Sequence, residues 1–179
     1  MITWPEVQPV LRDGELTLRT WQRGDADEVF EICQDADIAE FQTLNVPFTR
    51  QDAQDFVTGN DESFNGKTVV AYAGEVDGKV ALSVVLHSAN KFDHVIEIGY
   101  WVSPEFRGRG LGTKAVALLV QLAFDMGFRR VQAICDEVNA GSIALLEKAG
   151  FAFETRLRNG LTRRNDEQTD ALLFAKFPG

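Results

Sequence analysis

Seven consecutive residues, Arg107-Gly108-Arg109-Gly110-Leu111-Gly112-Thr113, carry the clearest chemical signal in the chain. They follow an apolar run, Val95 to Val102, that reads as a strand, and they lead into Lys114 to Met126, which reads as a helix. Glycines let a backbone turn tightly with no side chain in the way. The N–H groups of such a turn converge, and the helix start adds the positive end of its dipole. The natural ligand is a phosphate or pyrophosphate. A P-loop needs Gly-Lys followed by Ser or Thr, and Gly112-Thr113-Lys114 has the wrong order. Gly110, Gly112 and Ala115 nominally fit the dinucleotide pattern G-x-G-x-x-A. That turn should leave its strand directly, whereas Ser103-Pro104-Glu105-Phe106 intervenes and Pro104 ends strand pairing.

A third pattern, Arg/Gln-x-x-Gly-x-Gly/Ala after a strand and a short Pro-containing loop, is matched in register by Arg107, Gly110 and Gly112. It is the acyl-CoA signature of the GNAT N-acetyltransferases, which this chain resembles. Asn139 to Phe151 is similar to the second motif of the family: Asn-x-x-Ser/Ala, a short helix, then Glu147-Lys148-Ala149-Gly150-Phe151. The phrase Glu97-Ile98-Gly99-Tyr100-Trp101-Val102 looks like the RimJ/RimL-like branch, which acetylates N-termini of ribosomal proteins. The resemblance runs from about Leu16 to Phe177. It implies a single α/β (α+β) GNAT-like domain over residues 1–179, with a mixed sheet and a splayed parallel strand pair holding acetyl-CoA. The pantetheine arm would bond backbone near Trp101 and Val102. Pyrophosphate would lie on Gly108 to Thr113, with Arg107, Arg109 and Lys114 as candidate phosphate contacts.

Acetyl transfer from a thioester needs a neutral amine, a polarised carbonyl and a protonated leaving thiolate. An α-amino group, with pKa about 7.7–8.0, is about a tenth neutral near pH 7, and a lysine far less, so an N-terminal acceptor asks less of a base. Glu97, between Ile96 and Ile98, is the candidate base, since the family often uses a Glu on this strand through water. The other role open to it is an ordinary strand Glu facing solvent or an arginine. Many family members place a Tyr acid where this chain has Leu146; the RimL-like alternative is Ser142, whose hydroxyl would donate to the CoA sulfur. Ser142 also suits a plain helix start. Asn139 would hold pantetheine, cap a helix, or do both.

These residues need a scaffold, and the pattern of the chain supplies one. Strands are expected at Leu16–Thr20, Thr68–Gly74, Val80–His87, Val95–Val102, Arg130–Asp136, Phe151–Arg158 and Thr169–Lys176, giving about six to seven in a mixed sheet with helices on both faces. Asp77-Gly78 is a hairpin signal, and so is Asn159-Gly160. Asp25 is expected to cap a helix from Ala26 to about Gln34; Thr49 and Asp52 resemble a capping box opening a second helix to about Val57. Phe41 to Phe48 reads as irregular and Gly59 to Gly66 as a loop. The segment from Val95 to Asp136 is long enough for a right-handed parallel crossover.

At 179 residues the chain suits one domain, and 45% apolar content is ordinary. No run approaches the roughly 18 apolar residues of a membrane span. Met1 to Leu11 lacks the features of a signal peptide, so a cytoplasmic protein is expected. Cys33 and Cys135 make no disulfide scaffold, and His87 and His94 have no metal-ligand spacing. A net charge of −9 argues against general nucleic-acid binding and favours a cationic partner: a protein N-terminus or small amine, met by a monomer or homodimer. Arg156, Arg158, Arg163 and Arg164 stand out in this acidic chain, as a solvated hairpin or as a contact for substrate or RNA. Trp4, Trp21 and Phe41 suit either core packing or an acceptor cleft.

Overall fold

A computed structural model describes residues 1–163 and 166–179. The strands are β1 (Leu11–Asp13), β2 (Leu16–Arg19), β3 (Val70–Val76), β4 (Lys79–Asn90), β5 (Val95–Val102), β6 (Arg130–Asp136), β7 (Ala152–Thr162) and β8 (Gln168–Lys176). They form one sheet in the order β1-β2-β3-β4-β5-β6-β8-β7, antiparallel except between β5 and β6. The helices are α1 (Ala26–Ile32), α2 (Ala36–Phe41), α3 (Arg50–Thr58), α4 (Asn60–Asn65), α5 (Leu111–Asp125) and α6 (Ala140–Lys148). The mixed sheet with helices on both faces is as expected. The eighth strand is the short β1, which reverses through Gly14 at φ +61°.

Two hydrophobic cores flank the sheet. Leu18, Tyr72, Val84, Ile96 and Val131 project to one face, where α5 lays down Leu111, Val116, Leu119 and Ala123, and α6 adds Leu146. Trp21, Ala73, Val80 and Trp101 project to the other face, against Val29 of α1 and Ala53 and Val57 of α3. Within a strand the split follows two-residue alternation, as for Tyr72 and Ala73 of β3; the register shift at Gly74/Glu75 resets it in β4, and Trp21 follows the end of β2. Each fully buried Leu or Val contributes about 1.5–3 kcal/mol. Trp4 belongs to the first core, beside Phe64, and Trp21 to the second, so packing accounts for both.

Local signals mostly held. Thr49 and Asp52 form a reciprocal capping box at α3, and Asp77 and Gly78 both adopt the positive φ of a two-residue hairpin. Four expectations are corrected. Asp25 does not cap α1: its carboxylate turns back to accept from the Gln22 N–H and from both terminal nitrogens of Arg19. A further short helix, α2, begins at Asp35, whose side chain accepts from the Ile38 N–H. The segment expected as a loop after Thr58 winds into α4, anchored by Phe64 on the core. Asn159-Gly160 is not a reversal; β7 runs on to Thr162, with a register shift between Leu157 and Leu161. A Cβ on Gly160 would stand 2.8 Å from the Leu157 Cβ and 2.9 Å from the Ala171 Cβ, so glycine serves a close approach there.

Two arginines of this hairpin face acids. Arg156 pairs with Glu137 and Asp170, and Arg163 binds Asp136 through two nitrogens. Arg158 is exposed, and Arg164 lies outside the described residues. Asp136 is only 5% exposed. Burial alone would raise its pKa; hydrogen bonds from Arg163, the Val138 N–H and Thr169, with the nearby guanidinium charge, outweigh burial and hold it below its ordinary value. A carboxylate so depressed stabilises the fold fully above its unfolded pKa of about 3.9, and that stability is lost as pH falls through the lower folded value. Asp136→Asn is therefore expected to cost about 1–3 kcal/mol at neutral pH in urea unfolding. The gap from wild type should narrow below about pH 4. A gap that stays constant into acid would show that the charge of Asp136 is not what stabilises.

Candidate active site

The parallel pairing of β5 and β6 covers Val95↔Arg130, Ile96↔Val131 and Glu97↔Gln132, and stops. Beyond it β5 stays on β4 as far as Val102, while β6 stays on β8 as far as Asp136, so a gap opens between them. The Ser103 N–H bonds the Ala81 carbonyl. Antiparallel alternation then turns the backbone groups of Gly99 and Trp101 toward β4, and those of Ile98, Tyr100 and Val102 into the gap. The Tyr100 carbonyl accepts from the Gln42 side chain at 3.1 Å, and the Val102 carbonyl accepts from Arg107 Nε at 3.2 Å. Trp101, expected beside the pantetheine arm, turns its backbone toward β4, and the open edge belongs to Tyr100 and Val102. The Trp101 ring packs instead with Trp21 and Phe56.

The glycine turn lies at the mouth of this gap. Gly108 and Gly110 have φ of +76° and +75°, where side chains are strained, although a Cβ on either would meet no atom within 4 Å. Gly110 precedes the 15-residue α5 and no side chain caps that helix. The Lys114 N–H is the first to bond back, to the Gly110 carbonyl at 3.1 Å. The N–H groups of Leu111, Gly112 and Thr113 come before it and have no helical acceptor. Gly112 serves a different need: a Cβ there would stand 2.6 Å from Leu145 Cδ1 and 3.1 Å from Val102 Cγ2. It lets α5 start hard against both β5 and α6. An uncapped helix start beside an open strand edge suits both pyrophosphate and the amide-bearing arm of acyl-CoA.

The basic side chains around the turn each face an acid. Arg107 joins Asp35 at 2.6 Å and Asp37 at 3.0 Å. Burial pushes the Asp35 pKa up, but the hydrogen bonds from Arg107 and the Ile38 N–H, with the guanidinium charge, bring it below its ordinary value. Arg109 pairs with Glu15 and lies over the Phe106 ring, and Lys114 is 3.9 Å from Asp13. The turn is therefore left with its main chain as the free anion-facing surface, and Leu111, with its side chain in the core, offers only its N–H.

Glu97 and Ser142 approach the gap from opposite faces. Glu97 shares its face with Gly99 and Trp101. It sits at the last β5–β6 pair, with Gln132 Nε2 3.2 Å from one oxygen and His87 Nε2 3.8 Å from the other. Its company across the strands is thus polar rather than apolar. Ser142 is in the first turn of α6. Its N–H donates to Asn139 Oδ1 at 3.0 Å, so Asn139 is the cap and the Ser142 hydroxyl is not needed for it. That hydroxyl meets the Tyr100 hydroxyl at 2.7 Å and also the Cys135 thiol. Burial pushes both the Tyr100 phenol and the Cys135 thiol above their ordinary pKa values. Tyr100 and Gln42 escaped the sequence reading. The two-residue period of β5 could have found Tyr100, because it assigns Tyr100 to the face of α5 and α6.

Residues 15–152 match the acetyltransferase (GNAT) domain family. The chain belongs to the GNAT acetyltransferases. Members of this family use acetyl-CoA, in agreement with the turn and the open strand edge, and the likeness within the family is to its RimJ/RimL-like branch. Over 87 residues the chain is 39% identical to YdaF of Bacillus subtilis (strain 168), named as a ribosomal N-acetyltransferase, covering 48% of this chain and 47% of that one. Over 98 residues it is 29% identical to the spermidine N(1)-acetyltransferase of Escherichia coli (strain K12), covering 54% and 53%. It thus spans about half the length of these two relatives. The fold superposes on RimL, the ribosomal L7/L12 α-N-protein acetyltransferase in complex with coenzyme A, with TM-score 0.86, 17% identity and coverage of 94% and 98%.

Gly110→Asp places a strained residue and a negative charge at the helix start. It is expected to lower CoA affinity on the order of 100-fold (about 3 kcal/mol) in calorimetric titration, with the fold retained by circular dichroism. Wild-type affinity would remove the turn from the phosphate site.

Proposed function

We propose that the chain is an acetyl-CoA-dependent N-acetyltransferase that transfers acetyl directly to a primary amine, and that its acceptor is a protein N-terminal α-amine of the ribosomal-protein type. The observation that carries this reading is the end of β5–β6 pairing at Glu97↔Gln132. It sets a carboxylate at the vertex of the gap where acyl-CoA would thread. Bound acetyl-CoA supplies the acetyl thioester. The turn from Gly108 to Thr113 holds its pyrophosphate, and the backbone of Tyr100 and Val102 holds its pantetheine arm, displacing side-chain partners where needed. Asn139 fixes the start of α6 at the sulfur end. Glu97 takes the ammonium proton of the acceptor, directly or through water, so that the neutral amine attacks. Ser142 donates a hydrogen bond to the departing thiolate from the opposite face. Cys33 and Cys135 are buried, and the Cys135 thiol is pushed further from ionisation, which suits neither to an acyl-enzyme step.

The acceptor assignment is supported by the likeness to YdaF and to the RimL fold, and by the lower base demand of an α-amine. A second reading, a small polyamine, is favoured by the spermidine acetyltransferase likeness and by the charge of −9, which attracts cations of either kind. A third, a catalytically silent acyl-CoA-binding module, shares the turn but has no need of Glu97. Thiol release would be followed with peptides bearing free or blocked N-termini, spermidine and an aminoglycoside. Turnover confined to free N-termini is expected. Equal rates on blocked and free lysine-containing peptides, or turnover of small amines only, would overturn the N-terminal assignment. CoA binding without turnover of any amine would favour the silent module.

Glu97→Gln is expected to lower kcat about 10²-fold with CoA affinity unchanged. The loss should be largest at low pH, because more of the amine is protonated there and more depends on a base. A variant as active as wild type across the pH range would take Glu97 out of the mechanism.

A further inference from the structure

We infer that Tyr100 is a positioning residue for the leaving-group step: its hydroxyl donates to Ser142 Oγ and so frees and aims the Ser142 proton at the sulfur of CoA. The inference rests on the assignment of Ser142 as donor to the thiolate, and it names the group that makes a serine hydroxyl effective there.

The geometry has three parts. First, Tyr100 and Ser142 come from the two elements that border the gap, β5 and the first turn of α6, and their hydroxyl oxygens are 2.7 Å apart. Second, the Tyr100 hydroxyl lies 3.4 Å from the Ser142 carbonyl, which can only accept, and 2.7 Å from Ser142 Oγ, where either oxygen can donate. A phenol is a stronger acid than an alcohol, and one held protonated by burial always has a hydrogen to give. Tyr100 is therefore the donor and Ser142 Oγ the acceptor. Third, Asn139 already satisfies the Ser142 N–H, so the serine hydroxyl is not spent on the helix end.

With its lone pair engaged by Tyr100, Ser142 must send its own hydrogen elsewhere. Another neighbour of this hydroxyl is the Cys135 thiol, a weak acceptor that leaves the hydrogen available to a thiolate. Hydrogen bonds in a chain polarise one another, so Tyr100 makes Ser142 a better donor than an isolated serine. No proton leaves Tyr100. When the C–S bond breaks, its electron pair stays on sulfur; the Ser142 hydrogen bond stabilises that thiolate, which is protonated from the amine by way of Glu97 or solvent. The phenol stays neutral throughout, in keeping with a site that resists phenolate. Tyr100 was matched to no role by the sequence motifs, and a purely structural tyrosine would be served equally well by any buried acceptor.

The test uses Tyr100→Phe, Ser142→Ala and the double variant, each with CoA bound. The direct readout is the pKa of the bound CoA thiol, followed by ultraviolet thiolate absorbance; the second is kcat with the best acceptor. Wild type should lower the bound thiol pKa below that of free CoA. Ser142→Ala should abolish that shift. Tyr100→Phe should remove part of it and lower kcat about fivefold, the worth of one hydrogen bond, with KM for acetyl-CoA unchanged. In the Ser142→Ala background, Tyr100→Phe should add nothing further. A Tyr100→Phe enzyme with the wild-type thiol pKa and kcat, alongside a Ser142→Ala enzyme that has lost both, overturns the role of Tyr100 and leaves the serine assignment standing. A full additional loss in the double variant also overturns it. Ser142→Ala that keeps the wild-type thiol pKa overturns the serine assignment itself. Calorimetry with desulfo-CoA, which lacks the sulfur, serves as a fold control: a lost affinity for it in Tyr100→Phe would mark the tyrosine as structural and overturn the proposal.

Discussion

Everything in this molecule that bears on chemistry depends on one interruption, the end of β5–β6 hydrogen bonding after Glu97↔Gln132. A sheet edge opened inside a protein leaves donors and acceptors that must find partners. Two side chains meet this need on the β5 side, Gln42 at the Tyr100 carbonyl and Arg107 at the Val102 carbonyl. The helices that follow each strand start at the mouth of the gap, and Gly112 lets α5 press against both Val102 and Leu145 there. Cores packed on both faces hold the halves of the sheet apart. The open edge is thus a consequence of where the helices begin, and the site inherits its shape from that packing.

Electrostatics follow the same economy. Arg19, Arg107, Arg109, Arg130, Arg156 and Arg163 each lie within salt-bridge distance of a carboxylate. Exposed pairs of this kind add little stability. Their effect is on geometry. Arg107 ties the turn that precedes α5 to Asp35 and Asp37 at the start of α2, so one guanidinium connects the cofactor loop with the helices of the opposite face. Arg163 ties the β7–β8 hairpin to Asp136 at the end of β6.

The sequence was most legible where a backbone need forces a residue type. Thr49 with Asp52 and Asp77-Gly78 announce their conformations and are found as expected, and Gly110 takes the positive φ that a tight glycine turn allows. Strand alternation located the sheet to within a few residues. What could not be read depends on distant partners. Asp25 has the type and place of a helix cap, but Arg19 and Gln22 claim its carboxylate. Asn159-Gly160 has the letters of a turn, yet its neighbours on β8 keep the strand going. The four basic residues near it gave no sign that two of them would be matched to Glu137 and Asp136 across the sheet. Tyr100 entered only as one letter of the Glu97–Val102 phrase, because its meaning lies in a hydroxyl on another element.

The two cores on either side of the sheet are separate bodies of packed side chains, with the strands as a wall between them. Ser142 and Tyr100 stand with the core of α5 and α6, and Glu97 stands on the side of α1 and α3. Substitutions in contact couple strongly, whereas distant ones add independently. Repacking of the helices over Trp21 and Trp101 should therefore add independently to changes beside Ser142 and Tyr100, and only substitutions in the strand wall itself are felt on both sides.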